Sequence, residues 1–258
     1  MSELVLNVQG VSKRFGGLQA LSDVGIVIRA GQVYGLIGPN GAGKTTFFNV
    51  ITGLYTPDSG IFELGGQAYK PSAVHEVAKQ GIARTFQNIR LFPEMTALEN
   101  VMVGRHVRTH SGLFGAVFRT GSFRKEEAAI TQRSQELLDY VGIGRYAEFR
   151  ARTLSYGDQR RLEIARALAT DPKLIALDEP AAGMNTTEKA VLRELIDRIR
   201  NDGRTILLIE HDVKLVMGLC DRVTVLDYGK QIAEGKPDDV QKNEKVIEAY
   251  LGAGHKAH

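Results

Sequence analysis

Four short runs of consecutive apolar residues mark the chain, at 33–37, 174–177, 206–209 and 223–226. Apolar residues at every position, without alternation, are typical of strands that are covered on both faces of a sheet. Helical patterns lie between them. The clearest one, residues 187–200, has apolar residues at helical spacing and stops at Asn201-Asp202-Gly203. Strands that alternate with helices predict an α/β fold with a mainly parallel core.

The flanking segments predict additions to this core. Residues 4–8 and 24–28 resemble short strands of a small antiparallel sheet, and residues 231–233 form a late hairpin with 223–226. Residues 90–150 show helical patterns and no long strand run, which indicates an inserted helical subdomain. We therefore expect a single domain over 1–258. Its core and β flank would comprise 1–89 and 151–235, the helical subdomain 90–150, and a C-terminal helix and tail 236–258.

Composition narrows the functional classes. The 258 residues include 33 basic and 30 acidic side chains, a net charge of +3 that is too mild to indicate a nucleic-acid partner. The single cysteine, Cys220, excludes an internal disulfide and suits a reducing compartment. The first residues do not resemble a secretory signal, and no run reaches the roughly 18 apolar residues of a membrane span. Any membrane role is expected to run through a partner.

One glycine-rich segment predicts a phosphate-binding loop, because it fits G-x-x-x-x-G-K-[ST] between a strand and a helix. Its backbone N–H groups and the helix N-terminus would surround phosphates. The lysine would supply a cation, and the first threonine hydroxyl would ligate Mg²⁺. A glycine-rich turn without a ligand is the plain alternative. The predicted nucleotide-binding residues are Gly38, Pro39, Asn40, Gly41, Ala42, Gly43, Lys44, Thr45 and Thr46.

Two carboxylates end the apolar run at 174–177. Asp178 stands where a phosphate-binding-loop enzyme holds its Mg²⁺ shell, and Glu179 is placed to polarise an attacking water. The alternative is that Asp-Glu-Pro is merely the exit from a strand. The sequence lacks an Asn-Lys-x-Asp or Thr-Lys-x-Asp guanine reader. This absence argues against a standard GTPase, and no acceptor pocket of a small-molecule kinase can be located.

A further segment precedes a predicted amphipathic helix and distinguishes between the remaining families of phosphate-binding-loop enzymes. Ser155 is a good N-cap and Asp158, three residues later, resembles a capping box, so a capped helix is the plain interpretation. The functional interpretation is an anion-binding site at the helix N-terminus. The segment resembles the Leu-Ser-Gly-Gly-Gln signature of the ABC ATPases. It departs at Tyr156 and Asp158, and its residues are Leu154, Ser155, Tyr156, Gly157 and Asp158.

The resemblance extends to other elements in the same order along the chain. It implies that Phe15 stacks on adenine, that Gln87 links the Mg²⁺ site to a membrane partner, and that His211 contacts the γ-phosphate. Gln87, Asp178 and Thr45 would be the Mg²⁺ ligands, and Glu179, His211 and Gln87 the catalytic residues. Asn185 stands where many relatives have aspartate. The implied fold is a phosphate-binding-loop core of the ABC ATPase type with an antiparallel β flank and a helical subdomain.

The implied activity is ATP hydrolysis by the motor subunit of a membrane transporter. Its partners would be a second ABC ATPase in a homodimer or heterodimer, membrane permease subunits and, indirectly, a substrate-binding protein. The location would be the cytoplasmic side of the inner membrane. Branched-chain amino-acid importers are the most similar subfamily, through residues 83–88, the insert near 101–125 and the C-terminal segment. Urea importers, lipopolysaccharide exporters and non-transport ABC proteins are the alternatives.

A basic insert at 104–125 is a separate feature. Between Glu99 and Glu126 there is no acidic residue, and apolar residues could form one helix face. Such a segment suits a membrane surface or a partner groove, and a solvated loop is the alternative. The basic residues are Arg105, Arg108, Arg119, Arg124 and Lys125.

Overall fold

The computed structural model describes residues 3–105 and 121–254, with side chains described for 3–105 and 125–251. The chain forms two compact units, one of Met1–Gln87 with Lys173–His258 and the other of Asn88–Pro172. The sequence-derived boundaries at 90, 150 and 236 stay a prediction. The basic insert falls mostly on residues outside the described ones, so its role also stays a prediction.

All strands of the described residues lie in the first unit. They are β1 (Leu4–Phe15), β2 (Leu18–Arg29), β3 (Val33–Ile37), β4 (Ser59–Leu64), β5 (Gln67–Ala68), β6 (Ile82–Arg84), β7 (Leu174–Asp178), β8 (Thr205–Ile209), β9 (Arg222–Asp227) and β10 (Lys230–Gly235).

The helices divide between the two units. The first unit contains α1 (Lys44–Ile51), α2 (Val74–Gln80), α6 (Thr186–Asn201), α7 (Val213–Leu219), α8 (Pro237–Gln241) and α9 (Glu244–Gly254), and the second contains α3 (Ala97–Arg105), α4 (Gly121–Tyr140) and α5 (Tyr156–Leu168). None of these helices is long and apolar enough to cross a bilayer.

The larger sheet has the strand order β10-β9-β3-β8-β7-β6 within the described residues, and only the β9–β10 pair is antiparallel. Every residue of β3, β7 and β8 is buried, as their unbroken apolar sequences predict. Parallel strands carry their carboxyl ends to one edge, where ligands bind in open α/β sheets. This edge receives the segments that follow Ile37, Asp178 and Ile209.

The smaller sheet is antiparallel, with the order β2-β1-β4-β5. In β1, Leu6 and Val8 alternate inward, and a bulge at Gly10 then shifts the register so that Val11 also faces the core. Gly10 adopts φ 65°, a left-handed conformation that a glycine accepts readily. The expected antiparallel pair is confirmed, and its strands are longer than their apolar segments indicated.

The sequence patterns at 33–37, 174–177, 206–209 and 223–226 are confirmed as strands, and 187–200 as part of α6. The hairpin of β9 and β10 is also confirmed. Three strands were missed, namely β4, β5 and β6. Two of them span only two and three residues, so no periodicity can develop in them.

The second unit is helical, and α3 packs closely against α5. A Cβ at Gly104 of α3 would collide with the backbone carbonyl of Arg166 on α5, so this approach requires glycine. Arg105 at the end of α3 forms an ion pair with Asp171. The fully buried Asn100 of α3 holds the segment before this helix, because its side chain accepts a hydrogen bond from the Phe92 amide at 2.9 Å.

Candidate active site

The glycine-rich loop connects β3 to α1 and can be built only with glycine at two positions. A Cβ on Gly38, at φ 150°, would collide with the carbonyl oxygen of Leu226. A Cβ on Gly43, at φ 100°, would lie 2.8 Å from the carbonyl oxygen of Ala20. The turn after β9 supports the loop from outside, since the Gly229 amide donates to the Ala42 carbonyl at 3.0 Å. These contacts fix the curved backbone of the phosphate-binding loop, residues 38–46, which forms a cradle.

The side chain of Lys44 bonds to the backbone of this cradle. Its ammonium is buried and donates to the carbonyl oxygens of Gly38 at 2.7 Å and Pro39 at 2.9 Å. Burial lowers the pKa of Lys44, and the charges of Glu179 and Asp178 act in the opposite direction. The N-terminus of α1 has no side-chain cap and no acidic residue in its first turn. The backbone N–H groups at the start of α1 can therefore donate to a phosphate group beside the buried cation.

Asp178 and Glu179 follow each other at the carboxyl end of β7. Asp178 is 5% exposed, and its amide lies 3.3 Å from the Thr85 hydroxyl oxygen, to which it donates. Glu179 has φ 45°, a left-handed conformation that is unusual for a residue with a side chain. Strained backbone of this kind is concentrated at functional sites.

The three residues expected to act in catalysis lie together around one carboxylate. The side-chain amide of Gln87 donates to Oε2 of Glu179 at 2.9 Å. The His211 Nδ1 atom is 3.4 Å from the same oxygen. Gln87, Glu179 and His211 come from segments that follow β6, β7 and β8, so the parallel sheet brings their side chains to one edge. This cluster can hold and polarise a water molecule.

A cavity of about 420 Å³ joins the cradle to this cluster. Its lining includes Phe15, Leu18, Glu179, Tyr228 and Gly229, and the glycine-rich loop contributes Asn40, Gly41, Ala42, Gly43, Lys44, Thr45 and Thr46. Phe15 is 42% exposed and is therefore not a core residue. Its ring meets Tyr55 edge to face, with 5.2 Å between centroids.

The signature-like segment lies in the second unit and forms the start of α5. Ser155 is the N-cap, and its Oγ accepts the Asp158 amide at 3.2 Å. Asp158 departs from a capping box, because its carboxylate accepts the Ser155 hydroxyl at 2.8 Å and pairs with Arg161. The departure from glutamine is thus absorbed by local contacts.

The other departure from the signature points outward. Tyr156 is 42% exposed, and its hydroxyl accepts a 3.3 Å hydrogen bond from the buried Arg160. Leu154 and Gly157 are buried beside it. The segment therefore presents an aromatic ring where the common signature has a glycine, and it keeps the serine and second glycine in a helix N-terminus.

Comparison with known proteins decides the family. The pattern of the ABC transporter family matches residues 21–182, and that of the branched-chain amino acid ATP-binding cassette transporters matches residues 230–256. The chain belongs to the ABC transporter family. The cassette has the α/β fold with antiparallel flank that was expected, and it is an ATPase.

Relatives resemble the cassette over nearly its whole length. It is 46% identical over 253 residues to the high-affinity branched-chain amino acid transport ATP-binding protein LivG of Escherichia coli (strain K12), covering 98% of this chain and 99% of the relative. It is 44% identical to the corresponding BraF protein of Pseudomonas aeruginosa, with the same coverage.

Solved structures agree with this assignment. The ADP conformation of MJ1267, an ATP-binding cassette of an ABC transporter, superposes with a TM-score of 0.84 at 32% identity, covering 96% of this chain and 99% of the other. A dimeric post-hydrolysis cassette, MJ0796 bound to ADP and Pi, gives 0.75 at 26% identity, covering 90% and 98%.

Several side chains that support the cassette's site were missed in the sequence. Arg84 lies between the rings of Phe48 and Phe86, its guanidinium carbon 4.7 and 4.4 Å from their centroids. It also donates to the Thr52 hydroxyl at 2.8 Å. Arg84 therefore ties α1 to the segment that leads to Gln87. In the sequence, Arg84 stood out only as part of the Ala-Arg-Thr-Phe-Gln-Asn stretch. That stretch indicated the subfamily and did not indicate a structural role for Arg84.

Asn185, which replaces the usual aspartate, begins α6 in this cassette. Its side chain accepts the Glu188 amide at 2.9 Å, and the Glu188 carboxylate accepts the Asn185 amide at 3.0 Å. Both halves of a capping box are thus present. Asparagine caps as well as aspartate, so the substitution preserves the helix start.

The C-terminal segment was expected to be a helix with a tail, and its contact with the phosphate-binding loop was missed. The lining of a cavity of about 860 Å³ includes Gly38, Pro39 and His211 together with Lys245 and Tyr250 of α9. Burial raises the pKa of Tyr250. The C-terminal segment that matches the branched-chain subfamily thus shares a cavity with the phosphate-binding loop.

Replacing Phe15 tests its predicted stacking on adenine. The Phe15→Ala cassette should bind Mg-ATP about tenfold more weakly, because stacking between a base and an aromatic ring stabilises binding by roughly 1–3 kcal/mol. Leu18→Ala is the matched control, because Leu18 lines the same cavity, and it should have a smaller effect. Titration with a fluorescent ATP analogue measures both. A dissociation constant equal to that of the wild type would remove Phe15 from the site.

Proposed function

We propose that this cassette is the ATP-hydrolysing subunit of a transporter that imports branched-chain amino acids. It would lie on the cytoplasmic face of the inner membrane, pair with a second cassette and drive permease subunits, which receive their substrate from a binding protein. The observation that carries this proposal is the match of residues 230–256 to the branched-chain subfamily. The full-length relatives whose names state branched-chain amino acid transport support it.

The cradle would bind the phosphates of ATP. N–H groups of the loop and of the first turn of α1 would donate to phosphate oxygens, and the Lys44 ammonium would exchange its bonds to Gly38 and Pro39 for bonds to the outer phosphates. Phe15 would cover the adenine ring. A buried cation of lowered proton affinity stays charged beside a polyanion, because the anion favours the protonated form.

A Mg²⁺ ion would be held by three oxygen donors of this chain. The Thr45 hydroxyl, the Asp178 carboxylate and the Gln87 side-chain oxygen are the hard oxygen ligands that Mg²⁺ takes. When bound, Mg²⁺ neutralises charge on the outer phosphates of ATP. Asp178 is buried at the strand end and Thr45 lies in the first turn of α1, positions that this role requires.

Glu179 would act as the base that prepares the attacking water. Its Oε2 atom receives the Gln87 amide at 2.9 Å, which fixes the orientation of the carboxylate. His211, 3.4 Å from the same oxygen, would hold the water and the γ-phosphate in line. The signature residues Leu154, Ser155, Tyr156, Gly157 and Asp158 would act on the ATP of the partner cassette.

Uptake measurements test the proposed cargo. A strain that lacks the gene for this cassette should lose high-affinity uptake of radiolabelled leucine. The wild-type gene should restore it, and the Lys44→Ala gene should not, because that variant lacks the cation of the cradle. Urea uptake by the same strains is the control. Normal leucine uptake in the deletion strain would contradict the proposal, and a selective loss of urea uptake would support the urea-importer alternative.

A further inference from the structure

Glu210 is a buried carboxylate next to the catalytic cluster that the sequence analysis did not use. It follows β8, directly before His211, and its side chain is 0% exposed. Oε1 accepts the Ala181 amide at 2.8 Å, and Oε2 accepts the His211 amide at 3.2 Å. A carboxylate in this position must be satisfied by donors, because an unpaired buried charge is strongly unfavourable.

The donors of Glu210 come from the two loops that carry the reacting side chains. Burial raises the pKa of Glu210, and hydrogen bonds from the backbones of Ala181, Asp212 and His211 act in the opposite direction. One of these amides belongs to the loop after β7 and two belong to the loop after β8. A single side chain therefore connects the loop of Glu179 to the loop of His211.

The backbone of Glu179 needs such a support. Its φ of 45° is a conformation in which a Cβ atom is crowded, so it persists only when the surroundings enforce it. Its own amide donates to the carbonyl oxygen of Ile209 at 2.9 Å. Pro180 follows and has no N–H group. The next amide that can fix the segment is that of Ala181, and it is bound by Glu210.

We propose that Glu210 is a positioning residue that holds Glu179 in its strained conformation through the Ala181 amide and aligns His211 with it. The Ile209 carbonyl and the Glu210 carboxylate secure the segment on either side of Pro180. Glu210 is fully buried, and it acts through the geometry of the Glu179–His211 pair. This inference rests on the proposed role of Glu179 as the base.

The consequence is a specific kinetic defect. Without the Glu210 acceptor, the Glu179 backbone would relax and its carboxylate would leave its position. Displacement of a catalytic group by an ångström can reduce the rate about a hundredfold, so we expect Glu210→Ala to lower kcat at least about tenfold. The dissociation constant of Mg-ATP should change little, because Glu210 is not among the residues that line the cavity beside Lys44.

Conservative variants separate positioning from charge. Glu210→Gln keeps the length and one acceptor oxygen for the Ala181 amide. Glu210→Asp keeps the charge, but its side chain is one methylene shorter, so both oxygens lie farther from the Ala181 and His211 amides. Turnover should therefore decrease in the order wild type, Gln, Asp, Ala. If Glu210→Ala does not fold, the Gln and Asp proteins still carry the comparison. A fully active Asp protein beside an inactive Gln protein would overturn the proposal.

Thr205→Ala is the matched control at the opposite end of β8. Thr205 is 3% exposed, and its hydroxyl accepts the Gly31 amide at 3.1 Å, so the variant also removes a buried acceptor from the same strand. It should leave kcat per folded molecule unchanged. If Thr205→Ala and Glu210→Ala lower kcat equally, Glu210 has a structural role only and the proposal is overturned.

The assay is steady-state ATP hydrolysis per folded molecule, with fluorescent-nucleotide titration and thermal melting of each protein. Glu179→Gln is measured alongside. An active Glu179→Gln protein would reject the proposed base and with it this inference. An inactive Glu179→Gln protein together with a normal kcat for Glu210→Ala would reject the inference alone.

Discussion

The Glu179→Gln cassette should bind Mg-ATP like the wild type and hydrolyse it at least about a hundredfold more slowly, since general-base catalysis contributes about 10²–10⁴-fold. The amide side chain keeps the size of the carboxylate and cannot take a proton from water. Gln87 and His211 would remain in place around it. The cradle lies on other segments, so the dissociation constant should stay within about twofold, a difference of less than ~0.5 kcal/mol.

Steady-state hydrolysis and a fluorescent-nucleotide titration measure the two quantities on the same preparation. Glu234→Gln is the matched control, because it neutralises a carboxylate of the same unit that pairs with Arg222 on the surface. That protein should keep normal turnover. Turnover of the Glu179→Gln protein within about threefold of the wild type, far less than a lost general base costs, would remove Glu179 from the base role.

Mixing two inactive variants should restore ATP hydrolysis. One chain carries a predicted phosphate-binding loop at 38–46 and a second predicted anion site at the helix start of Ser155 and Gly157. We expect each ATP to lie between the cradle of one cassette and the signature of its partner, and a two-fold dimer satisfies both sites. A mixed dimer of Lys44→Ala and Ser155→Arg chains would then contain one doubly damaged site and one intact site.

The size of the recovery follows from counting sites. Random pairing of equal amounts makes half of the dimers mixed, so about a quarter of the wild-type sites are intact in a two-fold assembly. Each variant alone should be inactive at the same total concentration. Lys44→Ala mixed with the Lys44→Ala/Ser155→Arg double variant is the matched control, because no pairing of these chains contains an intact cradle. No recovery above that control would contradict shared sites.

Much of the core was predictable because its signals are local. The strands at 33–37, 174–177 and 206–209 are apolar throughout, and the loop glycines belong to one contiguous motif that can be recognised in the sequence. The order of Asp178 and Glu179 after a buried strand was equally visible. The strand end located Glu179, and the resemblance to the ABC ATPases located Gln87 and His211. The parallel sheet explains why the three side chains meet.

The supporting contacts were not predictable, because they join segments that are distant in sequence. Glu210 reaches the Ala181 amide across 29 positions, and Arg84 reaches Thr52 across 32. A glutamate at the end of an apolar strand has no periodic signal that distinguishes a buried support from a surface charge. The contact of Tyr250 with the cradle likewise depends on the path of the chain between β10 and α9.

The molar mass of the Glu179→Gln cassette at saturating Mg-ATP is the most direct test of a site completed by two chains. This variant binds ATP and does not cleave it, so nucleotide should hold the two cassettes together. Multi-angle light scattering should report a monomer of 28.3 kDa without nucleotide and twice that mass with Mg-ATP. The Lys44→Ala protein should stay monomeric under both conditions. A Glu179→Gln protein that remains monomeric at high concentration and saturating Mg-ATP would contradict the account.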